Sequence, residues 1–447
     1  KDDYWARKDV PVEEISVPTL AVGGYRDAFG GGTVSYADRI DARTELILGP
    51  WRHAVPEQGE TARIDFLGEV EAWFDEHLTD DGPTRDPAPR VRYWTEQPSP
   101  EEPLAGAWRG REEWPTVESE TEVAAFAVHE DGLRPTDGGD DGEFTPVADR
   151  WDVDYSVGTA SIGFEIPGGT DLDTTPDDVR SLTYETDAFE DALELTGTGT
   201  ASLTVVPDGR AQLVAVRVID VAPDGTGTLV THGVTRAELQ EGEIDPPGAT
   251  GVSSEPLTPG EEQRVSVSLR PTSHVFGPGH RLRIAVSGAF FPYVSPPAGS
   301  AGFVLASTPA APATLRLPAR RHDGSADFDD TYGFDAPQDV YEEAAAPRWE
   351  TATAHTGDTV TVSLEQSYTK QLSDAEFGYE MAVEAAIERS ELGSETIDRE
   401  TTTTLRYPTE TISSRVHSSV SRSFATMGYR VERDGEPFYE ERKRWSE

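Results

Sequence analysis

A carboxylate and an imidazole, each directly after a short apolar run, are the residues of this sequence best placed to do chemistry. Asp27 closes the stretch Gly23-Gly24-Tyr25-Arg26-Asp27, and His53 closes Leu48-Gly49-Pro50-Trp51-Arg52-His53 further along the chain. An aspartate that fixes a histidine in one tautomer and stabilises its protonated form is the acid and base pair of a serine hydrolase. Taken singly, Asp27 also reads as a turn acid in a chain full of acids, and His53 as a structural histidine.

The order of elements is what would bring the two together. Val17-Pro18-Thr19-Leu20-Ala21-Val22-Gly23 and Glu45-Leu46-Ile47-Leu48-Gly49 are short apolar runs bounded by Gly and Pro, which suits strands buried on both faces. Between them Val34, Ala37 and Ile40 recur at three-residue spacing after Gly30-Gly31-Gly32, so a helix joining two parallel strands is expected. In open parallel sheets, ligands and catalysis gather outside the carboxyl ends of the strands, and neighbouring ends lie side by side. Asp27 and His53 are therefore expected to meet. After the second strand, Phe66, Val70, Trp73, Phe74 and Leu78 mark an amphipathic helix that stops at Asp80-Asp81-Gly82-Pro83.

From about residue 90 short strands alternate with Gly, Pro, Asp and Ser turns, and the expectation becomes all β. Val265, Val267 and Leu269 alternate with Ser266 and Ser268; Leu282, Ile284 and Val286 do the same, while Leu213 to Val218 is apolar on both faces. Such strands suit a sandwich or jelly roll. A further boundary is read at Ala344-Ala345-Ala346-Pro347. Beyond it Val360 to Leu364 and the Arg430 to Tyr439 segment, turning at Asp434-Gly435, are read as strands.

Several motifs in one order carry a resemblance. Asp3-Tyr4-Trp5-Ala6-Arg7, Gly24-Tyr25-Arg26-Asp27, Gly49-Pro50-Trp51-Arg52-His53 and Trp73-Phe74-Asp75-Glu76-His77-Leu78 are followed by Val91-Arg92-Tyr93-Trp94, by Trp108 with Trp114-Pro115, and by Asp220-Val221-Ala222-Pro223-Asp224-Gly225. Gly277-Pro278-Gly279-His280-Arg281-Leu282-Arg283-Ile284 with Phe291-Pro292 completes the set. In that order they resemble the CocE/NonD hydrolase family, which contains X-Pro dipeptidyl-peptidases, cocaine esterase and α-amino acid ester hydrolases. The resemblance covers roughly residues 1 to 320 and, more faintly, the strands after 349. It implies that Asp27 orients His53 and that His53 acts as general base and then general acid. It also implies an α/β-hydrolase remnant, the end of a parallel sheet, followed by an all-β jelly-roll sandwich.

One part of the family pattern is not among these residues. The family's nucleophile lies on a strand-to-helix elbow upstream of the aspartate, and no Gly-x-Ser-x-Gly occurs in the 447 residues. Ser35 follows Asp27, lacks both flanking glycines and is expected to face out of the connecting helix. The reading is thus of the carboxyl-terminal part of a longer enzyme. Residues 1–85 would be the end of the catalytic domain, 86–345 the jelly-roll sandwich, and 346–447 an additional strand region packing on it. The expected partners are a small peptide or ester substrate and the missing N-terminal half of the catalytic domain, with a homo-oligomer allowed. The alternative from another class is a non-catalytic β-sandwich module for binding or structure.

Composition narrows the rest. Asp and Glu number 83 against 38 Lys and Arg, a formal charge of -45 that makes nucleic acid an unsuitable partner. Only Lys1, Lys8, Lys370 and Lys443 are lysines, and the acid is spread along the chain, which reads as adaptation to a high-salt environment. The absence of Cys excludes disulfides, thiolate metal sites and a cysteine nucleophile. Asp137-Gly138-Gly139-Asp140-Asp141-Gly142 fails as a calcium loop because its twelfth position is Ala148, so neither metal nor cofactor is expected. No apolar run approaches the ~20 residues of a spanning helix, so a soluble protein, cytoplasmic or secreted, with no membrane partner is expected. His77 and His280 are read as structural, and Trp94, Trp108 and Trp114 as core packing rather than a ligand groove.

Overall fold

Two short strands, β1 (Thr19–Gly24) and β2 (Thr44–Gly49), run parallel in a register that sets Gly24 opposite Gly49. Helix α1 (Gly30–Arg39) joins them, so the expected βαβ unit is present. In the computed structural model the described residues are 11–53, 55–59, 61–79, 88–98, 105–120, 122–136, 143–164, 173–237, 256–321, 333–335 and 348–446. The motif at Asp3 to Arg7 and the loop at Asp137 to Gly142 lie outside them.

Every residue of β2 is buried, as its continuous apolar pattern requires. Tyr25, Val34, Leu46, Leu48, Val91 and Tyr93 form one core cluster, and Ile47, Trp51, Ile64 and Trp108 form another. Each fully buried aliphatic or aromatic side chain of this kind stabilises the fold by about 1.5–3 kcal/mol. Helix α2 (Phe66–Leu78) starts where the Asp65 carboxylate accepts from the Gly68 amide, a side-chain cap on its first turn. It is tied down by Glu69, which pairs at 2.8 Å with buried Arg92.

Among the described residues fifteen further strands belong to the first of two compact units, which comprises Lys1–Asp152, Asp173–Gly288 and Gly299–Gln338. In chain order they begin with β3 (Val91–Glu96), β4 (Gly106–Arg111), β5 (Val123–His129), β6 (Gly132–Pro135), β7 (Val147–Trp151), β8 (Leu182–Glu185) and β9 (Leu193–Gly197). They continue with β10 (Thr200–Pro207), β11 (Leu213–Val221), β12 (Gly227–Arg236), β13 (Gln263–Ser268), β14 (Thr272–Phe276), β15 (Arg281–Ser287), β16 (Phe303–Ser307) and β17 (Thr314–Arg321). A mixed sheet has the order β1-β2-β3-β14-β9-β17-β10-β16-β7, with β4, β5, β6 and β13 pairing off this path. The parallel ladder of β1 and β2 continues into β3. β14 then meets β3 through a single parallel pairing, His274 opposite Glu96.

A second, wholly antiparallel sheet has the order β12-β11-β15-β8. All of β11 is buried between its two neighbours, and Leu282, Ile284 and Val286 of β15 are fully buried. In β13, Val265 and Val267 are buried whereas Ser266 and Ser268 are not, the half-buried alternation legible in the sequence.

The second unit comprises Val153–Leu172, Ala289–Ala298 and Asp339–Glu447. Among the described residues its seven strands are β18 (Arg348–Thr356), β19 (Thr359–Gln371), β20 (Glu376–Glu388), β21 (Thr396–Arg406), β22 (Thr411–Ser421), β23 (Phe424–Arg433) and β24 (Glu436–Ser446). They form an up-and-down antiparallel sheet in sequence order. The β23–β24 hairpin turns at Asp434 and Gly435, whose φ angles of 54° and 80° are the pair of positive values that a two-residue type I′ turn demands. Among the described residues no helix is long and apolar enough to cross a membrane.

Candidate active site

Because β1 and β2 are parallel and in register at Gly24 and Gly49, the loops that follow them leave the same edge of the sheet side by side. The Tyr25 amide donates to the Gly49 carbonyl at 3.0 Å, which extends the ladder one residue into both loops. Gly24 is needed here: a Cβ at this position would run into the carbonyl oxygen of Trp51, so the two loops can approach only over a bare backbone.

Asp27 sits in the turn that opens α1. Its amide donates to the Gly24 carbonyl at 3.1 Å, and its own carbonyl accepts from Gly30 at 2.9 Å and from the Arg270 guanidinium. One carboxylate oxygen, Oδ1, accepts from the Phe29 amide at 2.8 Å. The other, Oδ2, lies 3.0 Å from His53 Nδ1. The two residues expected to meet are therefore in hydrogen-bond contact. A carboxylate only accepts, so Nδ1 carries the proton and Nε2 presents a lone pair. The His53 ring is 68% exposed and is flanked by Phe29, whose ring centroid lies 5.9 Å away.

Each loop is anchored by a neighbour of the functional residue. Trp51, two residues before His53, is buried against Trp108, with ring centroids 5.7 Å apart. Tyr25 is buried, and its hydroxyl donates to the Trp94 carbonyl. Arg26 points inward to Glu96 at the end of β3, with contacts of 2.8 and 2.9 Å.

Glu96 begins a buried chain of charge that the sequence did not reveal. Beside it lies His274 of β14, whose Nδ1 is 3.6 Å from Glu96 Oε2 and whose Nε2 is 2.9 Å from Asp220 Oδ2. Asp220 of β11 also accepts from His280 Nδ1 at 2.7 Å. Burial works against a charged His274, but the bond to Asp220 and the adjoining Glu96 carboxylate outweigh it and lift the imidazole to about 9. Burial would raise Glu96 and Asp220; Arg26 and His274 hold the first below the usual carboxylate range, and His274 and His280 hold the second there. Arg26, Glu96, His274 and Asp220 thus run as alternating charges from the Asp27 loop into the antiparallel sheet, with His280 bonded to the far oxygen of Asp220. The available signal was Asp220 inside the largely apolar run Leu213–Val221, where a charged residue needs a partner.

The remaining candidates behave as packing residues. His77 lies on Trp73, ring centroids 4.1 Å apart, with Nδ1 2.9 Å from the Trp73 carbonyl oxygen. Trp108 is a core residue, and Trp94 and Trp114 pack partly buried around the two core clusters. Ser35 is within α1 and half-buried, next to Val34, which faces the core. Among the described residues no group of His, Asp and Glu is arranged to hold a metal ion.

Residues 84–323 match the X-Pro dipeptidyl-peptidase C-terminal non-catalytic domain. Asp27 and His53 precede that stretch. The chain is similar to cocaine esterase of Rhodococcus sp. (strain MB1 Bresler), 27% identical over 304 residues, covering 62% of this chain and 50% of the esterase. Among solved structures it resembles a CocE/NonD family hydrolase from Staphylococcus aureus, with a TM-score of 0.55 and 14% identity, over 71% of this chain and 57% of the other. It also resembles an aminopeptidase from the marine sediment archaeon Thaumarchaeota archaeon, with a TM-score of 0.51 and 21% identity, over 68% and 55%. At such identities the structural likeness speaks for the fold. The chain spans about half the length of the curated relatives it matches.

Proposed function

This chain belongs to the X-Pro dipeptidyl-peptidase C-terminal domain family, of the CocE/NonD hydrolase type, and on that premise we propose that Asp27 and His53 are the acid and base of a serine hydrolase site. The observation that carries the proposal is the 3.0 Å contact between Asp27 Oδ2 and His53 Nδ1 at the carboxyl ends of adjacent parallel strands. The ring is largely exposed, and Nε2 makes no hydrogen bond among the described residues.

The nucleophile in this reading is a serine hydroxyl from polypeptide outside these 447 residues, in keeping with the lack of a Gly-x-Ser-x-Gly motif here. As its oxygen attacks the carbonyl carbon of an ester or peptide bond, its proton passes to His53 Nε2, and Asp27 stabilises the imidazolium. Collapse of the tetrahedral intermediate breaks the bond to the leaving alcohol or amine, which takes the proton from Nε2. Water then gives a proton to the same nitrogen, attacks the acyl-enzyme and releases the acid, and the proton returns to the serine. The network behind Arg26 holds the Asp27 loop while this occurs.

The test is turnover of a nitrophenyl ester and an Xaa-Pro anilide by the complete protein in molar KCl. Asp27→Asn and His53→Ala should each lower kcat on the order of 10³- to 10⁴-fold with KM little changed. Turnover that survives both substitutions contradicts the proposal. A second reading is favoured by the non-catalytic character of the matched domain, which spans most of the first unit. In it the antiparallel and mixed sheets form a binding or structural module, and neither substitution would alter its behaviour.

A further inference from the structure

The edge of the C-terminal sheet is self-complementary. Among the described residues β24 pairs with β23 alone, and all its residues are exposed. Its outer row of backbone N–H and C=O groups is a template for another strand. Proteins usually blunt such edges with prolines, bulges and charged side chains, Lys above all. Here Pro437 and a register shift opposite Glu432 are confined to the start of the strand, and from Tyr439 to Ser446 the ladder with β23 is regular. The charges are also of both signs in order: Glu440 and Glu441 precede Arg442, Lys443 and Arg444.

Two identical strands pair antiparallel about a two-fold axis normal to the sheet. Because side chains alternate between faces, that axis must pass through a residue rather than between two. With Arg442 on the axis, Glu441 stands opposite Lys443, Glu440 opposite Arg444 and Tyr439 opposite Trp445, each pair occurring twice by symmetry, against a single like-charge contact of Arg442 with its own copy. A slip that puts Glu441 on the axis keeps only Glu440 and Arg442 as an opposed pair of opposite sign, and one that puts Lys443 there sets Arg442 against Arg444. The charge pattern thus selects one register.

The aromatic pairs fall where apolar surface already lies exposed. Tyr439, Glu441, Lys443 and Trp445 share a face with Val431, Tyr429, Met427 and Ala425 of β23. Met427, Tyr429, Tyr439 and Trp445 are 38–49% exposed, and the opposed Tyr439 and Trp445 would join the band of one copy to that of the next. Within one copy Glu441 already holds Lys443 at 3.2 Å and Glu440 lies 3.6 Å from Arg442, so these side chains reach partners of the kind the second strand would offer.

We propose that β24 is a homodimer interface, in which two copies pair edge to edge about Arg442 and fuse their seven-stranded sheets into one. This strand lies outside the residues matched by the family domain. The charge of -45 on each copy opposes association in dilute buffer. At molar salt the screening length falls to ~3 Å, so directly opposed charges act and distant ones do not.

The experiment is sedimentation of this chain in molar KCl, with variants checked for native circular dichroism. The wild type should be a dimer, Glu441→Lys and Lys443→Glu should each be monomers, and an equimolar mixture of the two should regain the dimer, since they present opposite signs to one another. The chain has no cysteine, so Arg442→Cys supplies one thiol per copy. Opposed Cα atoms lie ~4.5–5.5 Å apart, within disulfide reach, and oxidation should give a covalent dimer. A control thiol from Glu400→Cys, in β21, should not cross-link. A monomeric wild type at high concentration, or a dimer that both charge variants leave intact and Arg442→Cys does not cross-link, overturns the proposal.

Discussion

Arg26 and Glu96 form an ion pair of 2.8 Å with side chains only 4% and 6% exposed, and Arg26 is the residue immediately before Asp27. The pair fastens the loop of the candidate acid to the end of β3, and through His274 and Asp220 to the antiparallel sheet. Removing one partner of a buried pair leaves the other charge without compensation. Glu96→Gln is therefore expected to destabilise the first unit by ~3–5 kcal/mol. Denaturant unfolding in molar KCl measures this, and a change below about 1 kcal/mol would show that the pair does not hold the loop.

The same network sets the pH range of stability. His274 is raised to about 9 from an ordinary 6.5, so its contribution is complete below 6.5 and is lost as the pH rises through about 9. Its full value is on the order of 3 kcal/mol. Glu96 and Asp220 are shifted the other way, so their contribution is present above the usual carboxylate range and is lost when the pH falls below it. Melting curves should thus show a plateau between the usual carboxylate range and about 6.5, with a fall from there to about 9 that His274→Gln removes. An unchanged alkaline fall in that variant would place its origin elsewhere.

Gly24→Ala tests the contact between the two loops. The added methyl group meets the Trp51 carbonyl oxygen, so either the Asp27 loop or the His53 loop must move. Overpacking of this kind costs about 1–3 kcal/mol. In the complete protein, kcat should fall at least tenfold, because Asp27 Oδ2 and His53 Nδ1 would no longer be at bonding distance. Full activity in Gly24→Ala would mean that the loops need not touch.

The excess of acid predicts a need for salt. With 83 acidic against 38 basic residues, self-repulsion should loosen the fold as screening is withdrawn. Dialysis from molar KCl into dilute buffer should lower the melting temperature and reduce the strand signal in circular dichroism. Identical spectra and melting curves at both salt levels would remove the high-salt reading.

What could be read in the sequence was local. Asp27 and His53 were legible because each ends a strand that announces itself by a short apolar run, and because parallel strands joined by one helix present the same end. The Asp434-Gly435 turn was legible for the same reason, two residues with a distinctive backbone demand. The network was not, since Arg26, Glu96, Asp220 and His274 meet only because β14 lies beside β3 and β11 lies against β14. No local pattern encodes which strands become neighbours. Arg270, which reaches the Asp27 carbonyl from between β13 and β14, was invisible on the same grounds.

The central claim is that Asp27 and His53 serve a serine supplied from outside this chain. Labelling with a fluorophosphonate in molar KCl tests it most directly, comparing this chain alone with the same chain joined to polypeptide that completes the α/β domain. The account predicts no labelling of the chain alone, and labelling of the completed protein that His53→Ala abolishes. Labelling of the chain alone, or labelling of the completed protein that survives His53→Ala, would contradict it.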